Sequence, residues 1–543
     1  MTEQLANDPE KPTGIIQKFQ AWLTSGMATL VFFFLSVYAI YRAIRLRWVC
    51  DDAFISFRYA RNLAKGQGLV FNAGEYVEGF TNLLWTLVLT PFAAAELDLV
   101  VVSQLLGVLC YSALLIDYWR QGRRLIERVA ASAGPAVTRA MGPWPWSIAA
   151  IAVHYHLHVF ATSGLETAMF TMLIFSGLIR VALAETPESG LRFAFVLLSC
   201  ACLTRPDGLL LYGIAGLFAL IRFRTRSLKT IVWLHLPFVI LVGGSFVFRW
   251  FYYGDLLPNT FYAKSAHDPY PAQGFIYAGL YFAAYWLLAI FWIALVVAAV
   301  RAKENARWPL VLLATTSGAW ILYVVYVGGD FMFARFLVPI TPVIAIGGEL
   351  AMRGLRRGRW YFAFAICLVA TLLRYDPYRG REYPVIAYVG EEHKIYTREG
   401  MQLLRETARA TRVTMQAANP IVAFVGAQAA LIYYWDIETA IEAQTGLTDR
   451  QIARQTLDER GWIGHEKIAP MEYLKERGVA FILRPPPPER RNPQTNVLRI
   501  DGLPGEFEVL ELSPHVRQVL ATDPRFHLPG GDETTGQATG DQF

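Results

Sequence analysis

Two adjacent carboxylates, Asp51 and Asp52, follow the first apolar stretch of membrane length and open the run Asp51-Asp52-Ala53-Phe54-Ile55-Ser56-Phe57-Arg58-Tyr59-Ala60. Carboxylates side by side suit two kinds of chemistry. One of them can take a proton from a hydroxyl group as a general base. Both can offer hard oxygen ligands to a divalent cation such as Mg2+, Ca2+ or Mn2+. The same pair also reads as the N-cap of a helix over residues 53–64, because Asp accepts the free N–H groups of a first turn and suits its positive end. Both readings can hold together, since a helix mouth is where such a site would sit.

Ionised side chains near membrane depth are costly and are therefore candidates for function. Asp51, Asp52, Arg58, Glu75, Glu78, Glu166, Arg205, Asp207, Asp255, Lys264, Asp330 and Arg335 all map to one face of the topology derived below. Carboxylates in that set would activate or bind a hydroxyl-bearing acceptor. Arg and Lys would hold a phosphate, with Arg able to grip two oxygens at once. Structural readings stand beside these. Arg205-Pro206-Asp207-Gly208 also reads as a tight turn with a local ion pair. The stretch from Gly254 through Asn259 to Lys264 also reads as a structured loop, and Asp330 with Arg335 as a lock between two helix ends.

His154 and His158 share one face of a helix at the i, i+4 spacing of a zinc site, with His156 elsewhere. No carboxylate in the same segment completes a ligand set, so polar helix–helix contacts are the better expectation. The cysteines, Cys50, Cys110, Cys200, Cys202 and Cys367, show neither metal-site spacing nor a disulfide framework. No P-loop, dinucleotide fingerprint or serine nucleophile elbow is present, which argues against a soluble nucleotide cofactor.

These residues need a scaffold, and composition names its class. Of 543 residues, 54% are hydrophobic and only 17% charged, against about 25% charged in soluble chains. The apolar residues are grouped into runs approaching the ~20 residues that cross a bilayer. Spans are expected near 22–42, 99–119, 145–161, 165–183, 192–204, 208–221, 230–248, 275–299, 309–327, 336–351 and 360–374, eleven in all. A shorter apolar piece at 82–95 fits an interfacial or re-entrant helix. The expected organisation is a cytoplasmic segment 1–21, a transmembrane domain 22–375 with a functional first loop at 43–98, an extracytoplasmic α/β domain 376–530 and a disordered tail 531–543.

The net charge of +6 is concentrated in short loops, which indicates topology rather than nucleic-acid binding. Arg120, Arg123, Arg124, Arg128 and Arg139 share one loop; Arg222, Arg224, Arg226 and Lys229 another; Arg301, Lys303 and Arg307 a third; Arg353, Arg356, Arg357 and Arg359 a fourth. With eleven spans all four fall on one side, which the positive-inside tendency makes cytoplasmic. Arg42, Arg45 and Arg47 run against it. The Asp51 loop and everything past residue 375 then lie outside. There, residues 421–426 and 479–483 read as buried strands and 448–457 and 471–477 as helices. Pro485 through Pro488 read as a stiff polyproline turn or spacer.

The blocks Asp51 to Asn62, Gly68-Leu69-Val70-Phe71-Asn72 and Val77-Glu78-Gly79-Phe80-Thr81-Asn82 resemble bacterial GT-C glycosyltransferases, polytopic enzymes that use polyprenyl-phosphate sugars. The nearest likeness is to arabinofuranosyltransferases of the mycobacterial cell-wall type and to relatives that glycosylate type IV pilin. Thr162-Ser163-Gly164-Leu165-Glu166, Arg205-Pro206-Asp207-Gly208, Gly254 to Thr260, Gly446-Leu447-Thr448-Asp449 and Gly464-His465-Glu466-Lys467 resemble recurring elements of that group. The likeness runs from about residue 45 to about 485. It implies a GT-C membrane fold in the bacterial inner membrane, a lipid-linked sugar donor (arabinofuranose by resemblance) and a glycan or pilin-like protein acceptor outside the cytoplasm. It also implies catalysis by the acidic motif Asp51-Asp52, with Glu78, Glu166 and Asp330 as candidate acidic partners. Arg205, Lys264 and Arg335 are then candidates to neutralise the leaving lipid phosphate, with Arg58, Asp207 and Asn259 in the substrate site. A lipid-linked-sugar flippase is the rival from another class, although transporters favour inverted repeats and none is visible here. A membrane anchor for an extracytoplasmic domain is a third possibility, but it leaves the acidic pair unexplained.

Overall fold

The computed structural model of the protein describes residues 13–132, 147–187, 190–224, 227–353, 375–426, 428–457, 459–492 and 494–530. Arg139, Arg226, Arg356, Arg357, Arg359, Cys367, the expected span 360–374 and the tail 531–543 lie outside the described residues.

Helices dominate up to residue 353. Among the described residues, four are long and apolar enough to cross a membrane: Gly26–Arg45, Leu99–Val129, Leu228–Tyr253 and Ala306–Val327. A fifth crossing is possible if Pro271–Ala284 and Trp286–Arg301, bent by 99°, count as one span. The protein is thus multi-pass. Leu30, Phe33 and Phe34 on the first helix, and Ile240, Trp250 and Phe251 on Leu228–Tyr253, are large apolar side chains left uncovered by the protein, as lipid-facing residues would be.

Several expected spans are helical but short. Thr167–Leu183, Leu191–Thr204 and Gly208–Phe223 have fewer than 18 residues, as does Leu83–Ala94. The expected span 145–161 is divided within the described residues into Ser147–Ala152 and Tyr155–Phe160. His154 causes the break. Its backbone turns extended and its Nδ1 accepts the Leu157 N–H at 3.2 Å, so the polar ring restarts the helix instead of continuing it. The expected span 275–299 is likewise two helices that meet at an angle.

The first loop packs as a short helix, Ala53–Ala64, buried along most of its length. The C-terminal part supplies an antiparallel hairpin of β1 (Val385–Ile386) and β2 (Val389–Gly390). It also supplies a six-stranded sheet of β3 (Ile421–Phe424), β4 (Ala440–Glu442), β5 (Val479–Leu483), β6 (Val497–Ile500), β7 (Phe507–Val509) and β8 (Phe526–His527). The strand order is β4-β3-β5-β7-β6-β8. β3 pairs in parallel with β4 and β5, and the remaining pairs are antiparallel. β5 is buried at every position, as expected of an unbroken Val/Ile/Phe/Leu run in a central strand. The amphipathic helix Arg398–Ala418, capped by Thr397, packs against the helices Ala429–Trp435 and Pro514–Leu520.

Sheet and first loop are bolted together. Asn72 donates to Ala440 O at 2.9 Å and accepts from Ala440 N at 3.0 Å, so one side-chain amide reproduces a two-way main-chain pairing. Gly79 passes so close to the Leu447 carbonyl that an added Cβ would lie 2.7 Å from it. On the other side, Phe333 N donates to Gly390 O and Gly390 N to Phe331 O, at 2.8 and 2.7 Å. These two bonds fasten the hairpin to the loop that carries Asp330 and Arg335.

Candidate active site

Asp52 stands at the N-cap position of Ala53–Ala64, yet its side chain makes no capping bond. Among the described residues its carboxylate is engaged by no hydrogen bond or ion pair. Asp51 behaves differently. It is buried, and its two oxygens accept the main-chain N–H groups of Ala429 and Ala430, each at 2.9 Å. Those are the first N–H groups of the helix Ala429–Trp435. Asp51 therefore caps a distant helix, while Asp52, the one in capping position, remains open. Burial pushes the Asp51 carboxyl up to about 7, and the two N–H donors only partly oppose it.

One cleft is lined by Asp51, Asp52, Lys264, Phe331, Glu442 and His465. Glu442 is committed to its own loop, accepting from the main-chain N–H groups of Gln444, Thr445 and Leu447. Lys264 has no anionic partner among the described residues; its ammonium lies 5.6 Å from the centre of the Phe331 ring. His465 stacks edge-on against Phe331 at 4.8 Å. Burial lowers its basicity, with the Asp52 charge acting the other way. The cleft thus combines an open carboxylate, a free ammonium and an imidazole.

A second, buried cluster does not line the cleft, although Arg335 is near enough for its charge to act on Asp52. Glu166 takes Arg335 at 3.0 Å and Arg205 at 3.6 Å, and accepts from Asn82 at 3.0 Å. Arg205 grips Asp207 at 2.6 Å and lies between the rings of Phe170 and Phe336. Arg335 also meets Asp330 at 3.5 Å. Burial alone would raise the Glu166 carboxyl, but Arg335 and Arg205 outweigh it and hold it below its ordinary value. Five expected site residues are therefore together here, with three carboxylates set against two guanidiniums. Arg205 Nη1 and Arg335 Nε have no hydrogen-bond partner, but neither cation is uncompensated. The expectation that they hold the donor phosphate is not carried by this geometry; of the three cations considered, Lys264 is the free one.

The remaining expected residues hold the structure together. Arg58 donates to the carbonyls of Phe71, Ile437 and Glu438 at 2.7, 2.9 and 3.0 Å. Glu78 forms a buried ion pair with Arg249 at 2.8 Å. Asn259 donates to the carbonyls of Gly446 and Leu447 at 2.8 and 3.0 Å. Each joins the first loop or the 254–264 loop to its neighbours, which the sequence reading placed in substrate contact instead.

The expected divalent cation does not fit the pair as a chelate. Both Asp51 oxygens face N–H donors, and Asp52 alone supplies an open carboxylate. Among the described residues no group of three or more His, Cys, Asp or Glu is arranged around a metal position. The histidines separate: His158 bonds the Ala152 carbonyl at 2.8 Å, whereas His156 meets Glu391 at 2.9 Å. Glu391 also meets His393 at 3.0 Å. Burial would raise Glu391, but His156 and His393 hold it well below the usual carboxylate range. Next to it, burial pushes Glu392 well up, with Asp52 and Asp330 acting the same way. Sequence reasoning missed Glu391 and Glu392, which have no motif around them. His465 was within reach, in the Gly464-His465-Glu466-Lys467 block.

No family model matches the sequence. Two characterised relatives do. The chain is 28% identical over 371 residues to a terminal β-(1→2)-arabinofuranosyltransferase of Mycobacterium tuberculosis, covering 58% of this chain and 55% of the relative. It is 27% identical over 400 residues to the enzyme of the same name from Corynebacterium glutamicum, covering 65% and 54%. The chain is similar to both. It spans about half the length of these curated relatives. Among solved structures, ArnT from Cupriavidus metallidurans bound to undecaprenyl phosphate aligns with a TM-score of 0.49 at 12% identity, over 77% of this chain and 87% of that one.

Proposed function

We propose that this protein is a membrane glycosyltransferase of the GT-C type. It moves a sugar, with D-arabinofuranose as the reading the homologues support, from a polyprenyl-phosphate donor to an extracytoplasmic glycan. The observation that carries the proposal is the cleft in which Asp52 is open and Lys264 is unpaired, in a multi-pass homologue of arabinofuranosyltransferases.

Asp52 accepts the proton of the acceptor hydroxyl as that oxygen attacks the anomeric carbon. The C1–O bond to the phosphate breaks, and the polyprenyl phosphate leaves with the bond electrons. Lys264 stabilises the charge on the departing phosphate, a kind of term that is often the largest in catalysis. Asp51 positions the helix Ala429–Trp435 against the cleft rather than taking the proton. The buried cluster of Glu166, Arg205, Asp207, Asp330 and Arg335 fixes the loops around Asp52. The arginine-rich loops of the sequence support an orientation with the cleft and the residues after 375 on the extracytoplasmic side.

Purified protein, a synthetic polyprenyl-phosphate arabinofuranose and an oligosaccharide acceptor test the reading, because only a transferase forms a new glycosidic bond. Flipping of the donor without bond formation would refute it in favour of transport.

A further inference from the structure

Four aromatic rings lead from the surface to the cleft. Tyr388, 48% exposed, stacks with Trp462 at 6.3 Å and 29°. Trp462 stands 5.0 Å from His465 at 38°, and His465 4.8 Å from Phe331 at 90°. His465 and Phe331 are cleft residues, shared with Asp52 and Lys264. The series is therefore continuous with the site where a hydroxyl would lose its proton.

Its outer end is held in an unfavourable backbone. Ala387 and Tyr388 form the two-residue turn between β1 and β2, and both are left-handed, with φ of 45° and 64°. That turn type normally calls for Asn or Gly. Non-glycine residues there cost free energy and persist where the surroundings enforce them, often at binding sites. Here Gln273 Nε2 donates to the Ala387 carbonyl at 2.5 Å. The loop carrying Trp462 is braced by Arg460, which pairs with Glu466 at 2.8 Å. Among the described residues the Trp462 indole N–H has no hydrogen-bond partner, so ring contacts rather than a polar anchor hold that side chain.

We propose that Tyr388 and Trp462 are the stacking platform of the acceptor subsite, and that its ligand is a saccharide chain. A sugar ring presents a face of polarised C–H bonds that lies favourably on the negative face of an aromatic ring. Each residue of a glycan repeats that face, which matches a row of rings ending at a proton acceptor. His465, between platform and base, can bond a sugar hydroxyl. The inference rests on the glycosyl-transfer reading and names the substrate class of the same site.

The test uses the full-length protein in detergent and a soluble arabinofuranose tetrasaccharide, first without donor. Tyr388→Gly relieves the left-handed strain and so keeps the fold, and Trp462→Phe keeps a ring. Tyr388→Gly and Trp462→Ala are expected to weaken tetrasaccharide binding about three- to tenfold, with Trp462→Phe close to wild type. With donor present, acceptor KM rises while kcat at saturating acceptor and polyprenyl-phosphate binding are unchanged. Wild-type acceptor affinity in Tyr388→Gly and Trp462→Ala overturns the platform, as does binding of a pilin-type peptide there in place of the saccharide. Sugar transfer by wild type with an unaltered acceptor KM in both variants sinks the platform alone. Platform-dependent saccharide binding without any transfer sinks the transferase reading alone.

Discussion

Asp51 accepts the main-chain N–H of Ala430 at 2.9 Å, across 379 positions of sequence. With the matching bond from Ala429, this divides the labour of two neighbouring carboxylates. Asp52→Asn is expected to lower the transfer rate by about 10²- to 10⁴-fold, as loss of a general base does, at an unchanged thermal midpoint. Asp51→Asn replaces one acceptor oxygen by an amide NH2 that opposes an N–H. It should lower the midpoint clearly while leaving the rate per folded molecule within about tenfold of wild type. Assays of both purified variants beside melting curves check this; equal rate losses at equal midpoints would put both carboxylates in the chemistry.

Lys264 is the cation without an anionic partner in the cleft. Lys264→Met keeps the stem against Phe331 and removes the charge. The expected result is a fall in kcat/KM of about 10²- to 10³-fold, largest for donors whose leaving phosphate has the highest pKa. A loss independent of the leaving group would show that Lys264 serves the acceptor.

Arg205 sets a contrasting case. Its removal strands Glu166 and Asp207 in a buried place, and breaking such a pair by deleting one partner costs about 3–5 kcal/mol. Arg205→Ala should therefore express poorly and melt early. Arg205→Ala combined with Asp207→Asn should recover part of that loss. A stable Arg205→Ala protein with selectively weak donor binding would return Arg205 to the phosphate site.

The pH dependence of stability follows from Asp51. Its carboxyl is raised from 3.8 to about 7 on folding. The folded chain then binds that proton more tightly than the unfolded chain. The contribution is complete below the unfolded value and is lost as pH rises through about 7. Wild-type melting temperature, taken relative to Asp51→Asn, should fall between about pH 4 and about pH 7. A difference that is flat across that window removes the assignment.

The sequence carried the helical membrane class, the helix after Asp52 and the two buried strands at Ile421–Phe424 and Val479–Leu483. Local composition and periodicity decide those elements. It also marked the residues that meet as Glu166, Arg205, Asp207, Asp330 and Arg335, because ionised groups in apolar surroundings stand out. It did not separate Asp51 from Asp52. Their local contexts are alike, and the distinction arises from a helix almost 380 positions away. Nor did it show that Arg58 and Asn259 serve main-chain carbonyls at Ile437 and Gly446. A side chain suited to a phosphate or a sugar is equally suited to a carbonyl, and only tertiary proximity chooses. The break within 275–299 stayed hidden for a related reason. Apolar runs read alike whether a helix continues straight or, like Pro271–Ala284 and Trp286–Arg301, bends by 99°.

The side-chain pairing of Asn72 with Ala440, like the Asp51 cap, sets an order of events during biosynthesis. The front of the chain leaves the ribosome with Asp51, Arg58 and Asn72 lacking their later partners, and these wait until more than three hundred further residues have been made and the strand at Ala440–Glu442 arrives. A product stopped before the sheet leaves these buried polar groups without partners and should be cleared by proteolysis.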